Sequence, residues 1–120
     1  MARHRQQVAK ATEGLRDKLL QCALNGDIVG LDQCLKAGAP INYADGGLRT
    51  ALHWAATFGH YDIIKLLIVR GADVNARTSL GYSAQRLARN GKYHFCETAL
   101  RAAGSNDGPA TLEEEILNMV

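Results

Sequence analysis

Gly38-Ala39-Pro40-Ile41-Asn42 returns as Gly71-Ala72-Asp73-Val74-Asn75, an offset of 33 residues in a chain of 120. The same shift carries Leu19 onto Leu52, Ala23 onto Ala56, Leu31 onto Ile64 and Leu35 onto Ile68. Going forward, Thr50-Ala51 falls on Ser83-Ala84, Ala55 on Ala88 and Gly71 on Gly104. A period of roughly 20–50 residues marks a stack of supersecondary units. Each unit is too small to bury its apolar stripe alone, so its neighbours must cover it. The chain is therefore expected to stack, without a single central core.

Within each unit the spacing is helical, short and paired. Leu52, Ala55 and Ala56 form one stripe at i, i+3, i+4. Thr50 stands at the start, where its hydroxyl can take an unsatisfied backbone N–H. Gly59-His60 ends the helix, because glycine accepts the left-handed conformation. A second helix carries Ile63, Ile64, Leu66, Leu67 and Ile68 and stops at Gly71. The segment from there to Tyr82 is polar and rich in turn formers.

The middle unit reads Thr50-Ala51-Leu52-His53-Trp54-Ala55-Ala56-Thr57-Phe58-Gly59-His60, then Gly71-Ala72-Asp73-Val74-Asn75-Ala76. In these residues the sequence resembles an ankyrin-repeat protein, whose units usually read TPLHxAAxxGH followed by GADVN at this period. The resemblance covers roughly residues 15–108. It implies an all-α solenoid of three helix-turn-helix units with hairpin fingers, about 15–47, 48–80 and 81–108, plus flanking terminal helices. Three departures stand out. Leu48 replaces the family glycine ahead of Thr50, with Gly46-Gly47 just upstream, which predicts a shifted or more flexible finger. Ala51 replaces the usual proline. In the third unit, Gln85 and Arg86 make one face polar, and Gly91 places the inter-helix glycine one residue early. Such a face suits a cap that meets water.

The flanks differ in charge. Residues 1–14 hold Arg3, His4, Arg5 and Lys10, which reads as a basic N-terminal tail or as an extension of the first helix. Residues 109–120 read as an acidic capping helix. There Thr111 and Glu114 form a capping box, and Leu112, Ile116 and Met119 share one face. These terminal helices are also candidates for self-association. Met1 and the cap-like end units point to a complete small protein. The alternative is a regulatory or targeting ankyrin segment of a larger enzyme or signalling protein.

Composition narrows the function. With 14 basic and 12 acidic residues the net charge is +2, which does not suit a nucleic-acid binder. No apolar run approaches the roughly 20 residues of a membrane span, and no apolar stretch follows the first charges as a secretory signal requires. Cys22, Cys34 and Cys96 are an odd set without CxxC spacing. They predict neither a disulfide framework nor a metal site, and they favour a reducing, intracellular (cytoplasmic or nuclear) setting. His94 near Cys96 lacks two further ligands. No nucleophile–base set or phosphate loop is present. The expectation is a chain that is not an enzyme and takes no cofactor.

Recognition remains. The resemblance implies protein–protein binding through a concave groove, as an adaptor or scaffold does. The family's contact positions fall on Tyr43, Asp45, Arg49, Trp54, Thr57, Phe58, Arg70, Arg77, Leu80, Tyr82, Arg89 and Asn90. On the first inner helix the matching residues are Gln21, Leu24 and Asn25. Aromatic and arginine side chains carry most binding energy at interfaces. The resemblance also gives His53 and His60 structural roles. Asn75, with Val74, Asp73 and Leu67 before it, resembles the asparagine that the hypoxia-system asparaginyl hydroxylase modifies in ankyrin repeats, so it is a hydroxylation candidate.

Overall fold

In order along the chain the helices are α1 (Ala2–Asn25), α2 (Ile28–Lys36), α3 (Ala51–Thr57), α4 (Tyr61–Val69), α5 (Ala84–Asn90) and α6 (His94–Ala102). The computed structural model describes residues 2–106, with side chains from residue 14. The acidic helix expected over 109–120 lies outside the described residues. The helices form three pairs, α1–α2, α3–α4 and α5–α6, and the pairs stack so that α3 lies between α1 and α5, and α4 between α2 and α6. Among the described residues no strand forms; Ala44 and Thr50 make an isolated antiparallel bridge at the base of a finger. The basic N-terminal stretch is the first part of α1 itself.

Capping explains where the inner helices begin. Thr50 accepts from His53 N–H, and His53 Nδ1 accepts from Thr50 N–H at 3.0 Å, closing a reciprocal box. Ser83 repeats the first half of this, accepting from Arg86 N–H. The hinge between paired helices needs a left-handed residue. Gly26 (φ 77°) and Gly59 (φ 71°) supply it in the first two units, and Lys92 (φ 63°) supplies it in the third. The third unit therefore keeps the 33-residue register. Gly91 is not an early hinge glycine but sits in the Phe58 slot, where the Tyr93 ring lies so close that a Cβ would approach it to 2.5 Å.

The finger before α3 is not shifted either. Leu48 adopts φ 58°, matching Gly81 at φ 84° one unit on. Asp45 N–H donates to Arg49 O, as Thr78 N–H does to Tyr82 O, so both fingers close alike. Neighbouring loops are tied at one repeated place. Asn42 Oδ1 accepts from Asp73 N–H at 2.8 Å, and Asn75 Oδ1 accepts from Asn106 N–H at 2.9 Å.

The buried layer is made of the stripe positions: Leu19, Leu31, Ala55, Ala56, Ile63, Ile64, Leu67, Ala88 and Leu100 are each at most 1% exposed. The three cysteines are buried and free. Small residues on α3 let the helices approach closely, which is why alanine recurs there. Leu66 and Ile68 are only half-buried, on the flank of that layer.

Candidate functional site

Trp54, Thr57 and Phe58 share one side of α3 at i, i+3, i+4 spacing. The Trp54 and Phe58 rings stack at 6.3 Å with planes 7° apart, and Phe58 stacks on His60 at 6.4 Å. The Arg49 guanidinium lies 4.4 Å from the Trp54 ring centre. Arginine, two aromatics and imidazole thus form a four-member ladder running from finger to helix end. Phe58 remains 47% exposed at its outer end. Cation–π and stacked contacts of this kind hold a surface rigid before any partner arrives.

Asp45 anchors the ladder. It accepts from Gly47 N–H at 2.9 Å, from Arg49 N–H at 3.0 Å and from Trp54 Nε1–H at 3.2 Å. Burial pushes this carboxyl up, but the amides of Arg49 and Gly47 and the Arg49 guanidinium together hold it below its ordinary value. Asp45 therefore positions other groups, and most of its acceptor capacity is already taken. Asp17, Leu20, Gln21, Leu24, Asp45 and Trp54 line a groove of about 350 Å³ between α1 and α3. On the first unit's side the Arg16 guanidinium of α1 lies 5.4 Å from the Tyr43 ring centre. The structure thus brings together Asp45, Arg49, Trp54 and Phe58, adds Gln21 and Leu24 from the first unit, and sets Tyr43 against Arg16. Thr57 is exposed beside them, its hydroxyl donating to His53 O at 2.8 Å.

The third unit continues the edge in part. Tyr82 is half-buried with Arg86 at 5.8 Å from its ring centre, Arg77 Nη1 donates to Gly81 O, Leu80 is 80% exposed, and Asn90 is exposed. Two expected residues lie elsewhere. Arg89 occupies the Ala56 slot, is 7% exposed, and pairs with Glu97 at 2.9 Å. Its assignment to the groove followed from the misplaced glycine. Arg70 lies at the end of an outer helix and bridges to Asp32 of α2 at 2.7 Å, beside a second groove lined by Ile28, Val29, Gln33 and Leu66. It ties neighbouring outer helices and does not join the ladder.

The histidines of the motif bear structure. Because His53 Nδ1 accepts from Thr50 N–H, its Nε2 carries the proton and donates to Ala76 O at 2.9 Å. Burial lowers its pKa, against the raising effect of the Ala76 and Tyr82 carbonyls. His60 Nε2–H donates to Leu24 O at 2.9 Å, reaching back to the preceding unit. Asn75 is exposed, and its amide also donates to Gly104 O at 3.3 Å.

One surface had no signal in the repeat. Tyr61, Tyr93 and Phe95, with Gly59, Lys92, His94 and Cys96, line a cavity of about 630 Å³ at the starts of the outer helices. Phe95 is 80% exposed and meets Tyr61 edge-on at 6.3 Å. Its slot holds Asp62 in the second unit and Val29 in the first, so no periodic pattern marks it. Among the described residues no group of three or more metal-ligating side chains assembles, and no helix is long and apolar enough to cross a membrane.

Residues 48–79 match the family profile of the ankyrin repeat. The chain is an ankyrin-repeat protein. Ankyrin relatives surround it. A probable E3 ubiquitin-protein ligase of Oryza sativa subsp. japonica, XBOS33, is 36% identical over 87 residues, covering 70% of this chain and 17% of the relative. Human inversin is 45% identical over 58 residues, 48% of this chain and 5% of inversin. Serine/threonine-protein kinase 12 of Arabidopsis thaliana is 39% identical over 64 residues, 53% of this chain and 14% of the kinase. The chain thus spans less than a fifth of each of these relatives. Ankyrin repeats are protein-interaction modules.

Proposed function

We propose that this ankyrin chain is a non-catalytic adaptor or scaffold that holds a partner protein against the groove between α1 and α3 and the adjoining fingers. The observation that carries this reading is the Arg49–Trp54–Phe58–His60 ladder, pre-stacked and still open at Phe58. Such a surface loses little side-chain entropy on binding, which is the usual obstacle to affinity on a small interface. Leu24 and Gln21 supply a floor. Tyr43, Arg77, Leu80, Tyr82 and Asn90 extend the contact along the finger edge. Intracellular residence, cytoplasmic or nuclear, accords with three buried free thiols.

The test is the double variant Arg49→Ala, Phe58→Ala. Affinity purification beside the wild type should lose its specific partner, while Tm moves by less than about 4 °C, equivalent to less than about 1 kcal/mol. Unchanged capture by a folded double variant rejects the groove as the binding site.

A second reading rests on the relatives. A ligase and a kinase carry segments like this one within much longer chains. On this reading the groove recruits substrate or address for a catalytic region elsewhere in one polypeptide. Sequencing the native transcript for an open frame joined to a catalytic domain decides between the two. As a separate proposal, Asn75 is a target for asparaginyl hydroxylation, its exposure meeting the need for access. Mass spectrometry of the finger peptide from cells holding the enzyme should show one added oxygen, and an unmodified peptide rejects it.

A further inference from the structure

The aromatic cavity at the starts of the outer helices is built from residues that the repeat does not require. In the second unit the hinge slots hold Phe58, Gly59, His60, Tyr61 and Asp62; one period on they hold Gly91, Lys92, Tyr93, His94 and Phe95. The Tyr93 ring rests on Gly59 and Gly91, and an added Cβ at either glycine would collide with it, so the ring is held in place. Phe95 is 80% exposed, Tyr61 39% and Tyr93 37%. Three open aromatic side chains around one concavity exceed the scattered apolar exposure that any surface shows. The volume of about 630 Å³ falls within the roughly 300–1,000 Å³ usual for ligand pockets.

The charge around the cavity is one-sided. Lys92 lines it and Lys65 Nζ stands 5.3 Å from the Tyr61 ring centre, whereas among the described residues no carboxylate lines it. Asp62 lines the neighbouring pocket with Ile28 and His60, and Glu97, the acid of α6, is held by Arg89 and Arg101. Lys92 also takes φ 63° where the first two units place Gly26 and Gly59. A side chain with a Cβ is disfavoured there, and residues held in disfavoured backbone conformations gather at ligand clamps.

We propose that this cavity is a second docking site, independent of the groove between α1 and α3, which takes a large apolar side chain from a partner peptide whose flanking residues are acidic. The apolar side chain enters among Tyr61, Tyr93 and Phe95, and the flanking carboxylates meet Lys92 and Lys65. A second copy of this chain fits poorly, because a two-fold contact on this face would bring Lys92 and Lys65 against their own equivalents. A bilayer fits poorly too, because an interfacial anchor needs a projecting apolar face and these rings line a concavity.

The experiment titrates the full, isotope-labelled chain with end-blocked peptides and follows its amide resonances. The probe is Glu-Asp-Leu-Phe-Asp-Glu, and the controls are Lys-Lys-Leu-Phe-Lys-Lys and Glu-Asp-Ser-Ser-Asp-Glu. The probe should shift residues 59–61 and 92–96 and bind about fivefold or more tighter than either control. Phe95→Ala should weaken it by about fivefold or more with Tm unchanged, because that side chain is exposed. Lys92→Gly, which restores the hinge residue of the other units, should weaken the probe by about threefold or more while Tm holds or rises. Structural damage does not produce that split. Arg49→Ala should leave binding within about twofold, so that failure of the α1–α3 groove and failure of this site are told apart. Equal binding of the acidic and basic peptides overturns the proposal, as does the absence of shifts at millimolar peptide, undiminished binding to Phe95→Ala, or shifts confined to α3. Two further outcomes overturn it by naming another occupant. One is binding to phosphatidylserine–phosphatidylcholine vesicles, lost in Phe95→Ala, without binding of the probe. The other is a concentration-dependent doubling of mass that Phe95→Ala abolishes.

Discussion

Leu48 carries a backbone cost that its neighbours avoid. At φ 58° it occupies the slot Gly81 fills at φ 84°, and a branched side chain at positive φ costs about 1–2 kcal/mol. Its side chain is 54% exposed, so little packing offsets this. Leu48→Gly relieves the strain and gives back part of it as backbone entropy in the unfolded chain. The expected net gain is about 0.5–1 kcal/mol, read as a higher urea midpoint. A lower midpoint would mean that Leu48 packs against something the exposed surface does not suggest. His53 gives a pH signature. Its folded pKa is depressed from 6.5 mainly by burial, so the folded state favours the neutral ring. The unfolded chain then binds more protons below about pH 6.5, and the associated stability is full above that value and lost as pH falls through it toward the folded pKa. Tm measured from pH 7.5 to 5 should decline. His53→Gln should start lower, having lost the bond to Ala76 O, but decline less steeply. Equal slopes would place the sensitivity on other groups.

At the scale of helices, the period made the pairing, the Thr50 and Ser83 caps and the buried stripe readable, because each rests on residue type at fixed spacing. Register at the third hinge was not readable. Gly91 is the residue type expected to turn the chain, yet Lys92 takes the left-handed conformation and Gly91 accommodates the Tyr93 ring. That one-residue misreading put Arg89 on the surface, when the retained register buries it against Glu97. The Arg70–Asp32 bridge spans 38 residues between outer helices, and the Phe95 cavity joins slots of unrelated residue type, so neither leaves a periodic trace. On α4 the stripe alone does not separate Leu66 from Leu67. Leu67 is fully buried and Leu66 half-buried at the outer groove. Leu67→Ala is expected to cost about 3–5 kcal/mol as an unrelieved cavity, and Leu66→Ala clearly less. Urea unfolding of both variants at one pH checks the order. Equal losses would show that the groove side of α4 is covered by more than the described residues.

Across the molecule, stability must be distributed by neighbours, because among the described residues it is the middle pair that is flanked on both sides, by α1–α2 and by α5–α6. In such a stack free energy is close to a sum of unit terms and interface terms, so the ends open before the middle. The loops strengthen the interfaces with the Asn42 and Asn75 bonds, placed identically one period apart. This arrangement also suits the proposed groove, since the ladder stands on α3, the helix least exposed to end fraying. Hydrogen exchange should therefore show the slowest amides in α3 and α4 and faster ones in α2 and α6. Leu100→Ala, a buried change in the last described helix, sharpens the test. It removes packing from α6 and its contact with α4, so amides of α5 and α6 should speed up by about the full cavity cost of 2–5 kcal/mol. Amides of α3 should speed up by only the part of that loss shared through the interface. Uniform acceleration in all six helices would instead make the chain a single cooperative unit, with interface terms that exceed the stability of any one pair.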